Sequence, residues 1–537
     1  MITNRKKAFR AKDYLAHEEG TIIKRHRGHP SIALVYPNTY FLGMSNLGFQ
    51  SLYALFNEDD DCVCERVFLP DDLVLDQQSS QTLCSLENNR PVNDFDCVAL
   101  SISFENDYLN LLPILNQANV PFFANERGED DPIVLAGGAA ITINPEPIRP
   151  FLDVFFVGEA EEAAAEIVDV LRQDLKRDAK IQALGKIEGV YIASEVPDLN
   201  DQRIAHLPTS ICPSHKNKNS LEERVSLAHL RQYKRRVPQD INGFPIQSII
   251  HTPYSEFGKL SLIEVQRGCG RGCKFCAEGF IYTPFRERSF DLIQEQVLRA
   301  LKYRDKIGLI GADLLVYPEI IELFDFIHKN GGSFSPSSVR VDGMTPEIIK
   351  RLAESGHKTM AIAPEAGSEE LRQKTNKKFD NAAILDVIDQ LLQAGIPNIK
   401  MYLMIGLPHE RPKDIDDMIE LVANAREVLL ANAKKSKRMG SLIMSINPFI
   451  PKPRTPYQVG VFEGIDPIKE KVSYIKKQLL SKGSLRIYNE NPFYAYVQAL
   501  LSNGTTQMSE FLLEVYHNKG SLKRALKKFT DLKENVA

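Results

Sequence analysis

The sequence predicts an α/β protein: an amino-terminal parallel sheet, a partial (β/α)6 barrel and a helical carboxyl-terminal region. Two stretches of the chain carry this prediction, because short apolar runs alternate with helical patterns over 31–175 and again over 259–448. Such alternation is typical of βαβ units with parallel strands. The predicted division is a tail at 1–25, a first α/β domain at 26–175, a linker at 176–258, a barrel at 259–460 and a helical region at 461–537.

The elements of the first domain follow in order from the apolar pattern. Runs such as SIALVYP, which ends in Pro-Asn, predict buried strands, and longer stretches with helical spacing predict the helices between them. The predicted strands are 31–37, 62–70, 96–104, 132–140 and 152–160, and the predicted helices are 47–57, 109–118 and 161–175.

The second stretch repeats this order with about six βα units, fewer than the eight of a closed barrel. The predicted strands are 260–266, 307–310, 335–341, 359–363, 398–405 and 441–448, and the predicted helices are 290–303, 317–328, 346–355, 381–394 and 413–428. Ligands of parallel α/β sheets bind at the carboxyl ends of the strands. Every loop that follows a strand is therefore a candidate for the functional site.

Length, composition and charge exclude several classes of protein. With 537 residues, 43% hydrophobic and 25% charged, the chain is neither disordered nor a small disulfide-stabilised scaffold. A net charge of −4 gives no global reason to bind nucleic acid or a membrane, although a local basic patch would permit a nucleic-acid contact. The basic residues Arg231, Lys234, Arg235 and Arg236 are more simply a solvated helix face. The start lacks a secretory apolar core and no run spans a membrane, so we expect a cytoplasmic protein.

Three of the eight cysteines are clustered directly after the first strand of the barrel. Cys269, Cys273 and Cys276 have C-x3-C-x2-C spacing in GCGRGCKFCAEGF, where the glycines permit a tight loop. Thiolates suit iron–sulfur clusters, zinc or copper(I). A structural zinc site needs a fourth ligand nearby, and the nearest histidines, His251 and His328, are not at ligand spacing. The pattern favours a four-iron four-sulfur cluster whose fourth iron has no local protein ligand. The remaining cysteines are interpreted as buried structural thiols.

This cysteine motif, with Phe275 as the aromatic residue before its last cysteine, resembles the radical S-adenosylmethionine (SAM) superfamily. The resemblance implies that the three cysteines are both the metal ligands and the catalytic centre. It further implies that SAM binds the open iron and that one electron from the cluster yields a 5′-deoxyadenosyl radical. Further SAM contacts are implied for Phe275, Gly311, Ser338, Arg340, Glu365, Arg372 and Gly406. Gly311 belongs to the segment Gly308–Asp313, which occupies the position of a family motif that contacts the SAM amino group. Arg372 occupies the position of a residue that binds the SAM carboxylate.

The first domain resembles the cobalamin-binding Rossmann-like domain that precedes many radical SAM cores. The resemblance rests on VYPN, FLGMSNLG, LSISFEND, LAGGAAITINPEPI and VGEAEEA. It implies cobalamin beside Gly137, Gly138, Gly158 and Glu159, where small residues would admit a flat corrin. No D-x-H-x-x-G motif occurs, so no histidine ligand to cobalt is implied. The alternative is a domain that keeps the fold and binds no cobalamin.

Three functional hypotheses follow. The first is cobalamin-dependent transfer of a methyl group to an unactivated centre. The second is a radical SAM reaction without methyl transfer, such as cyclisation, rearrangement or RNA modification. The third is a non-catalytic sensor or assembly protein that binds the cluster or a corrinoid, and the intact cysteine triad argues against it. Methylthiotransferases need three further amino-terminal cysteines, and the spacing of Cys62, Cys64, Cys84 and Cys97 does not provide that pattern. The resemblance also implies an electron donor of the flavodoxin or ferredoxin type, whereas the substrate stays open.

Overall fold

A computed structural model describes residues 11–26, 30–70, 82–197, 233–337, 339–458, 460–479 and 483–529. Its described residues form two compact units. The first unit contains the described parts of 11–240, together with 248–258 and 501–529. The second unit contains 241–247 and the described parts of 259–500.

The first unit is built on one six-stranded sheet with the order β2-β1-β3-β4-β5-β6. The first five strands are parallel and β6 pairs antiparallel with β5. This order is that of flavodoxin-like folds, whose ligand crevice lies between β1 and β3. The strands are β1 (Ser31–Thr39), β2 (Val63–Leu69), β3 (Cys97–Ser101), β4 (Ile133–Gly137), β5 (Val154–Phe156) and β6 (Val190–Ile192).

Helices cover the first sheet, and this explains its apolar strands. The first seven residues of β1 are all buried, as expected when both faces of a parallel sheet are covered. Phe49 and Tyr53 of one covering helix are fully buried in the main core. The helices of this unit include Leu47–Glu58, Leu111–Gln117, Ala139–Ile143, Ala163–Arg172, Arg177–Leu184, Met508–His517 and Leu522–Lys528.

Residues from the carboxyl-terminal part of the chain complete the first unit. The helix Met508–His517 packs against Leu111–Gln117 and the 3-10 segment Glu146–Phe151. The Asn144 side-chain amide donates to the carbonyl oxygens of Ser502 and Gly504, at 3.0 and 2.8 Å. The sequence-based division differs here, since the described residues within 461–529 are divided between the two units and do not form one helical region.

The second unit contains parallel strands in two sheets, with the orders β11-β10-β7 and β12-β13-β14-β15. The strands are β7 (Ser261–Glu264), β10 (Lys306–Ile310), β11 (Ser333–Pro336), β12 (Thr359–Glu365), β13 (Asn398–Ile405), β14 (Ser441–Pro448) and β15 (Leu485–Asn489). A short antiparallel pair, β8 (Gln266–Arg267) with β9 (Arg286–Glu287), follows β7. Five of the six predicted barrel strands coincide closely with observed ones, whereas the third, predicted over 335–341, corresponds to β11 at Ser333–Pro336 and shares only residues 335–336 with it. The seventh parallel strand, β15, lies in the stretch predicted as helical.

Helices and strand burial agree with a partial barrel. Along β13 and β14 every second residue is buried and the residues between are half-buried. One face of these strands is thus packed, while the other is partly open. The helices of this unit are Glu278–Ile281, Phe290–Ala300, Ile320–Lys329, Pro346–Glu354, Glu369–Lys374, Asn381–Gln393, Pro412–Ser436 and Ile465–Leu479, and Pro492–Asn503 spans the boundary between the units. None of the helices within the described ranges has the length and apolar character that crossing a bilayer requires.

Candidate functional site

The loop with the three cysteines begins directly after β8, at the carboxyl end of the first barrel strand. Gly268 and Gly272 have φ angles of +75° and +62°, which favour glycine. A Cβ on Gly268 would lie 2.2 Å from the carbonyl oxygen of Tyr282, so the loop closes tightly on the segment that follows it. The predicted role of these glycines in folding the loop is therefore confirmed for Gly268 and Gly272.

Neighbouring segments hold this loop by its backbone. The Asn376 amide nitrogen donates to the carbonyl oxygens of Arg271 and Gly272, at 2.9 and 3.1 Å. The Lys274 N–H donates to the Thr375 carbonyl, and the Tyr457 N–H donates to the Lys274 carbonyl, both at 3.1 Å. The loop is thus fixed against the turn after Glu369–Lys374.

Phe275 anchors the loop through its ring. It packs on a small cluster formed by Ala366, Leu371, Leu407, Phe449 and Tyr457. Three of these residues follow the carboxyl ends of β12, β13 and β14. Phe275 therefore contacts the protein core, and its described contacts give it a positioning role.

The three thiols are half-buried, and the charge of Cys273 affects the pKa of each of the other two. Burial raises the pKa of Cys269 and raises the pKa of Cys276 to about 11, and the charge of Cys273 contributes to both shifts. Backbone N–H groups act in the opposite direction: Arg271 N–H donates to Cys269, and Glu278 and Gly279 N–H donate to Cys276. Such N–H bonds stabilise thiolate ligands. Within the described ranges, no group of three His, Cys, Asp or Glu residues is placed around one common metal ion. A four-iron cluster does not require three ligands around one ion, because each thiolate binds a different iron.

Two buried acceptors lie at the ends of the neighbouring strands β7 and β10. Asp313 is 1% exposed and Gln266 is 2% exposed. Neither Asp313 Oδ1 nor Gln266 Oε1 has a hydrogen-bond partner among the described residues. Gly311 adjoins Gln266, since a Cβ there would be 2.7 Å from Gln266 Oε1. Buried acceptors without partners are costly, so this pair indicates a place for an external donor.

Four charged side chains form a network beside the cysteines. Arg271, inside the cysteine motif, pairs with Asp313 and lies 3.5 Å from Asp342. Arg340 donates from Nε and Nη2 to the two carboxylate oxygens of Asp342, at 2.9 and 3.0 Å. Its third nitrogen, Nη1, is 3.8 Å from Cys273 Sγ. Ser338, which was predicted to contact SAM, lies outside the described residues.

Glu365 and Arg372 have different surroundings from those expected. Glu365 ends β12 with φ +65° and accepts a 2.8 Å hydrogen bond from Lys377 Nζ. Arg372 is 0% exposed. Its guanidinium donates to the carbonyl oxygens of Ala366, Gly367 and Phe379 and to the Asn381 side chain. The expectation that Arg372 binds the SAM carboxylate is corrected, because its described contacts bury the group and occupy its donors.

Gly406, at the end of β13, has a φ of +79°. Its N–H donates to the carboxylate of Glu410, at 3.0 and 3.1 Å to the two oxygens. A Cβ would lie 3.1 Å from both Glu463 Oε2 and the Ile468 side chain. The groups that closely approach Gly406 are thus side chains of this chain, those of Glu463 and Ile468.

The glycines predicted to admit cobalamin are likewise packed against the chain's own backbone. Gly138, with φ +109°, would place a Cβ 2.5 Å from the Ile102 carbonyl oxygen. Gly158, with φ +124°, would place one 2.2 Å from the Arg236 carbonyl oxygen. Glu159 is buried, and its N–H donates to the Arg236 carbonyl. Gly137 differs, because a Cβ there would make only ordinary van der Waals contacts. The carboxyl ends of β4 and β5 are therefore closely packed at Gly138 and Gly158. Arg236 also pairs with Glu162 and Glu166, and residues 233–236 form no helix, so the predicted solvated helix face is wrong for Arg236. Arg231 lies outside the described residues.

An apolar surface is present instead at the carboxyl ends of β1 and β3. Phe41, Leu42 and Phe104 are 44%, 44% and 54% exposed. Asn38 donates to Asp107 at 2.8 Å beneath them, and burial raises the pKa of Asp107 to about 6. This position matches the crevice that flavodoxin-like sheets use for ligands.

The scattered cysteines have structural surroundings. Cys62, Cys64 and Cys97 are buried, and Cys84 is half-buried; all four are free thiols. Burial raises the pKa of each. Such surroundings suit inert core residues rather than metal ligands. Cys212 lies outside the described residues.

Several residues of this site could not be predicted from the sequence. Arg271, Asp342, Lys377, Asn376 and Gln266 were not selected, although Arg271 lies within the cysteine motif. Their common signal is a polar residue shortly after a barrel strand or a core segment. That signal alone is too frequent in loops to distinguish them.

Comparison with known families gives two matches along the chain. Residues 48–193 match the family described as "Radical SAM proteins, N-terminal". Residues 263–422 match the radical SAM superfamily. The second match includes the cysteine loop and the strands from β10 to β13. Together the two matches cover more than half of the chain.

Individual proteins are also similar. Protein MJ0966 of Methanocaldococcus jannaschii is 29% identical over 503 residues, which are 93% of this chain and 94% of that protein. The probable dual-specificity RNA methyltransferase RlmN of Enterococcus faecalis is 24% identical over 40% of this chain and 66% of that protein. Among solved structures, the radical SAM methyltransferase TsrM of Kitasatospora setae, with cobalamin and a 4Fe-4S cluster, has a TM-score of 0.49 and 12% identity, covering 94% of this chain and 99% of that chain.

Proposed function

Because this chain belongs to the radical SAM superfamily and is an enzyme, we propose that Cys269, Cys273 and Cys276 bind a four-iron four-sulfur cluster that cleaves SAM reductively. One observation carries this proposal: the three thiols share one loop at the carboxyl end of the first barrel strand, beside two buried acceptors without partners among the described residues. When bound, the cluster supplies one electron that breaks the sulfur–C5′ bond of SAM and releases methionine and a 5′-deoxyadenosyl radical.

The residues of the chain fit the polar groups of SAM. We assign the amino group to Asp313 Oδ1 and Gln266 Oε1, since an ammonium group donates up to three hydrogen bonds. Each of these buried oxygens would thereby gain the partner that it lacks among the described residues. Glu365 and Gly406, at the ends of β12 and β13, remain proposed contacts to the nucleoside part. Arg372 has no part in this assignment.

A narrower proposal is methyl transfer with cobalamin bound to the first unit. The flavodoxin-like strand order supports it, and the exposed Phe41, Leu42 and Phe104 provide an apolar surface for a corrin at the crevice between β1 and β3. The residues Gly138 and Gly158 do not fit a corrin, since the chain's own backbone packs against them. The relative in Enterococcus faecalis is named an RNA methyltransferase, and its similarity supports transferase chemistry of the barrel.

The alternative proposal keeps the radical chemistry and omits methyl transfer. The close packing at Gly138 and Gly158 favours it, because these were the glycines through which cobalamin binding was predicted. In either case we propose a flavodoxin or ferredoxin as the electron donor and a cytoplasmic location. A reducing compartment would keep the free thiols of the chain reduced.

The experiment is anaerobic reconstitution with iron and sulfide, followed by incubation with SAM and dithionite. We expect four irons per chain and formation of 5′-deoxyadenosine, both lost in Cys276→Ala. The matched control is Cys84→Ala, a half-buried thiol of the first unit, which should retain iron and product. Absence of 5′-deoxyadenosine from a protein with four irons would refute SAM cleavage. Cobalt content and S-adenosylhomocysteine then decide between the narrower proposals, since methyl transfer requires both and the alternative requires neither.

A further inference from the structure

We infer that Arg340 is a positioning residue for the cluster rather than a ligand of SAM: Asp342 holds its guanidinium against Cys273, and its positive charge raises the reduction potential of the cluster. The inference rests on the proposed function only in requiring a cluster on the three cysteines. It assigns to Arg340 a role different from the one that the sequence predicts.

The geometry of Arg340 determines which groups it is able to bind. Arginine recognises a carboxylate through a fork of two parallel N–H bonds. In Arg340 this fork is already occupied, because Nε and Nη2 donate to the two oxygens of Asp342. The remaining Nη1 lies 3.8 Å from Cys273 Sγ, within the range of an N–H···S hydrogen bond. The carboxylate of a cosubstrate would thus have to compete with Asp342 for this fork or with Cys273 Sγ for Nη1.

Packing fixes this orientation. The Arg340 side chain is 10% exposed. Its guanidinium carbon lies 5.7 Å from the centre of the Phe379 ring, a distance suited to a cation–π contact. Asp342 is in addition 3.5 Å from Arg271, so that one carboxylate contacts two arginines. The arrangement ties the cysteine loop to the segment after β11.

The charge of Arg340 has a predictable effect on redox chemistry. Reduction adds one negative charge to a cluster that already carries three thiolates. Net charge and hydrogen bonds to sulfur are main determinants of cluster potentials. A guanidinium stays protonated at all relevant pH values. Arg340 therefore stabilises the reduced state, which is the state that donates an electron to SAM.

The test measures the midpoint potential of the reconstituted full-length protein by redox titration with spectroscopic detection of the reduced cluster. Arg340→Gln removes the charge and should lower the equilibrium constant for reduction about tenfold, which is about 59 mV for a one-electron couple. Arg340→Lys keeps a charge near Cys273 and should lower it by less than about threefold. The matched control is Arg351→Gln, because Arg351 forms the same two-bond pair with Asp325, at 2.8 Å for each bond, outside the cysteine loop. This control should leave the potential unchanged.

The outcomes separate this inference from the proposed function. Four irons and an unchanged potential in Arg340→Gln would overturn the inference, while the proposed function would stand. Equal shifts in the Gln and Lys variants would also overturn it, because they would indicate lost packing rather than lost charge. If Arg340→Gln does not retain four irons, Arg340→Lys alone decides: a shift beyond about threefold contradicts the inference, and a smaller one supports it. A wild-type protein without a four-iron cluster would instead refute the proposed function.

Discussion

The side-chain amide of Asn376 binds the carbonyl oxygens of Arg271 and Gly272, and so connects the turn after Glu369–Lys374 to the centre of the cysteine motif. Asn376 itself has a φ of +66°, a conformation that asparagine tolerates better than most residues. The two bonds restrain the backbone between Cys269 and Cys273. The protein's own groups therefore help to shape this loop.

Loss of this restraint should weaken metal retention. We expect Asn376→Ala to lose iron to a chelator up to about thirtyfold faster than the wild type, since two hydrogen bonds of about 1 kcal/mol each are removed. Chelator-dependent loss of cluster absorbance measures this rate. The matched control is Asn398→Ala, at the opposite, amino-terminal end of β13. It removes the hydrogen bond that the Asn398 side chain donates to the Lys358 carbonyl and those that it accepts from Ser441. Equal rates in the two variants would contradict a specific role for Asn376.

Arg372 should be important for stability. Arg372→Gln leaves several buried carbonyl oxygens without a donor, so the free energy of unfolding should fall by at least about 3 kcal/mol. Thermal denaturation compares this variant with the surface variant Arg351→Gln, which should fall by about 1 kcal/mol or less. A variant of Arg372 that unfolds like the wild type, yet binds SAM weakly, would restore the sequence-based assignment.

Gly158 provides a test of why a glycine is needed in the first unit. Gly158→Ala should destabilise the protein by about 2 kcal/mol or more in the absence of any cofactor, because the positive φ and the contact with the Arg236 backbone both exclude a Cβ. Gly128→Ala, where the nearest heavy atom outside the adjoining residues is 3.9 Å away, is the control in the same unit. Full stability of Gly158→Ala together with loss of bound corrinoid would indicate a cofactor contact instead.

Acid should destabilise the protein partly through His357. This ring is buried and bonds to the Phe334 carbonyl, and burial lowers its pKa from 6.5 to about 4. The folded protein thus excludes a proton that the unfolded chain binds, so stability is fully present above about pH 6.5 and is lost as the pH falls toward 4. The loss is at most about 3 kcal/mol.

Denaturation midpoints at about pH 7 and about pH 4.5 measure this effect. The midpoint of the wild type should fall more between these conditions than that of His357→Gln, whose neutral amide does not titrate. The exposed His409 provides the control, because His409→Gln should follow the wild type. A wild type and a His357→Gln variant with parallel pH profiles would rule out this source of acid sensitivity.

Most of the fold could be predicted from local patterns in the sequence. The strands at 398–405 and 441–448 were predicted with the observed bounds, because period-two burial and flanking turns define them. The strand β6 was missed, since three residues carry no periodic pattern. The strand β15 was missed because its five residues are only half-buried or exposed and resemble a polar linker.

The site was predictable where chemistry and spacing coincide, as in the three cysteines. It was not predictable where tertiary packing decides the role of a polar residue. Arg340 and Arg372 both follow barrel strands and were both predicted to contact SAM, yet one faces a thiol and the other is enclosed by carbonyl groups. Only the fold shows that the guanidinium of Arg372 is occupied.

The bonds from Asn144 to Ser502 and Gly504 have a consequence for biosynthesis. A ribosome must translate the entire barrel before it delivers the residues that finish the first unit. Until then the surface along Leu111–Gln117 and Glu146–Phe151 lacks the helix Met508–His517 that covers it, and is accessible to chaperones and proteases. Recombinant fragments that stop near residue 258 would carry the same uncovered surface permanently, so insolubility of such fragments would reflect missing sequence rather than an unstable sheet.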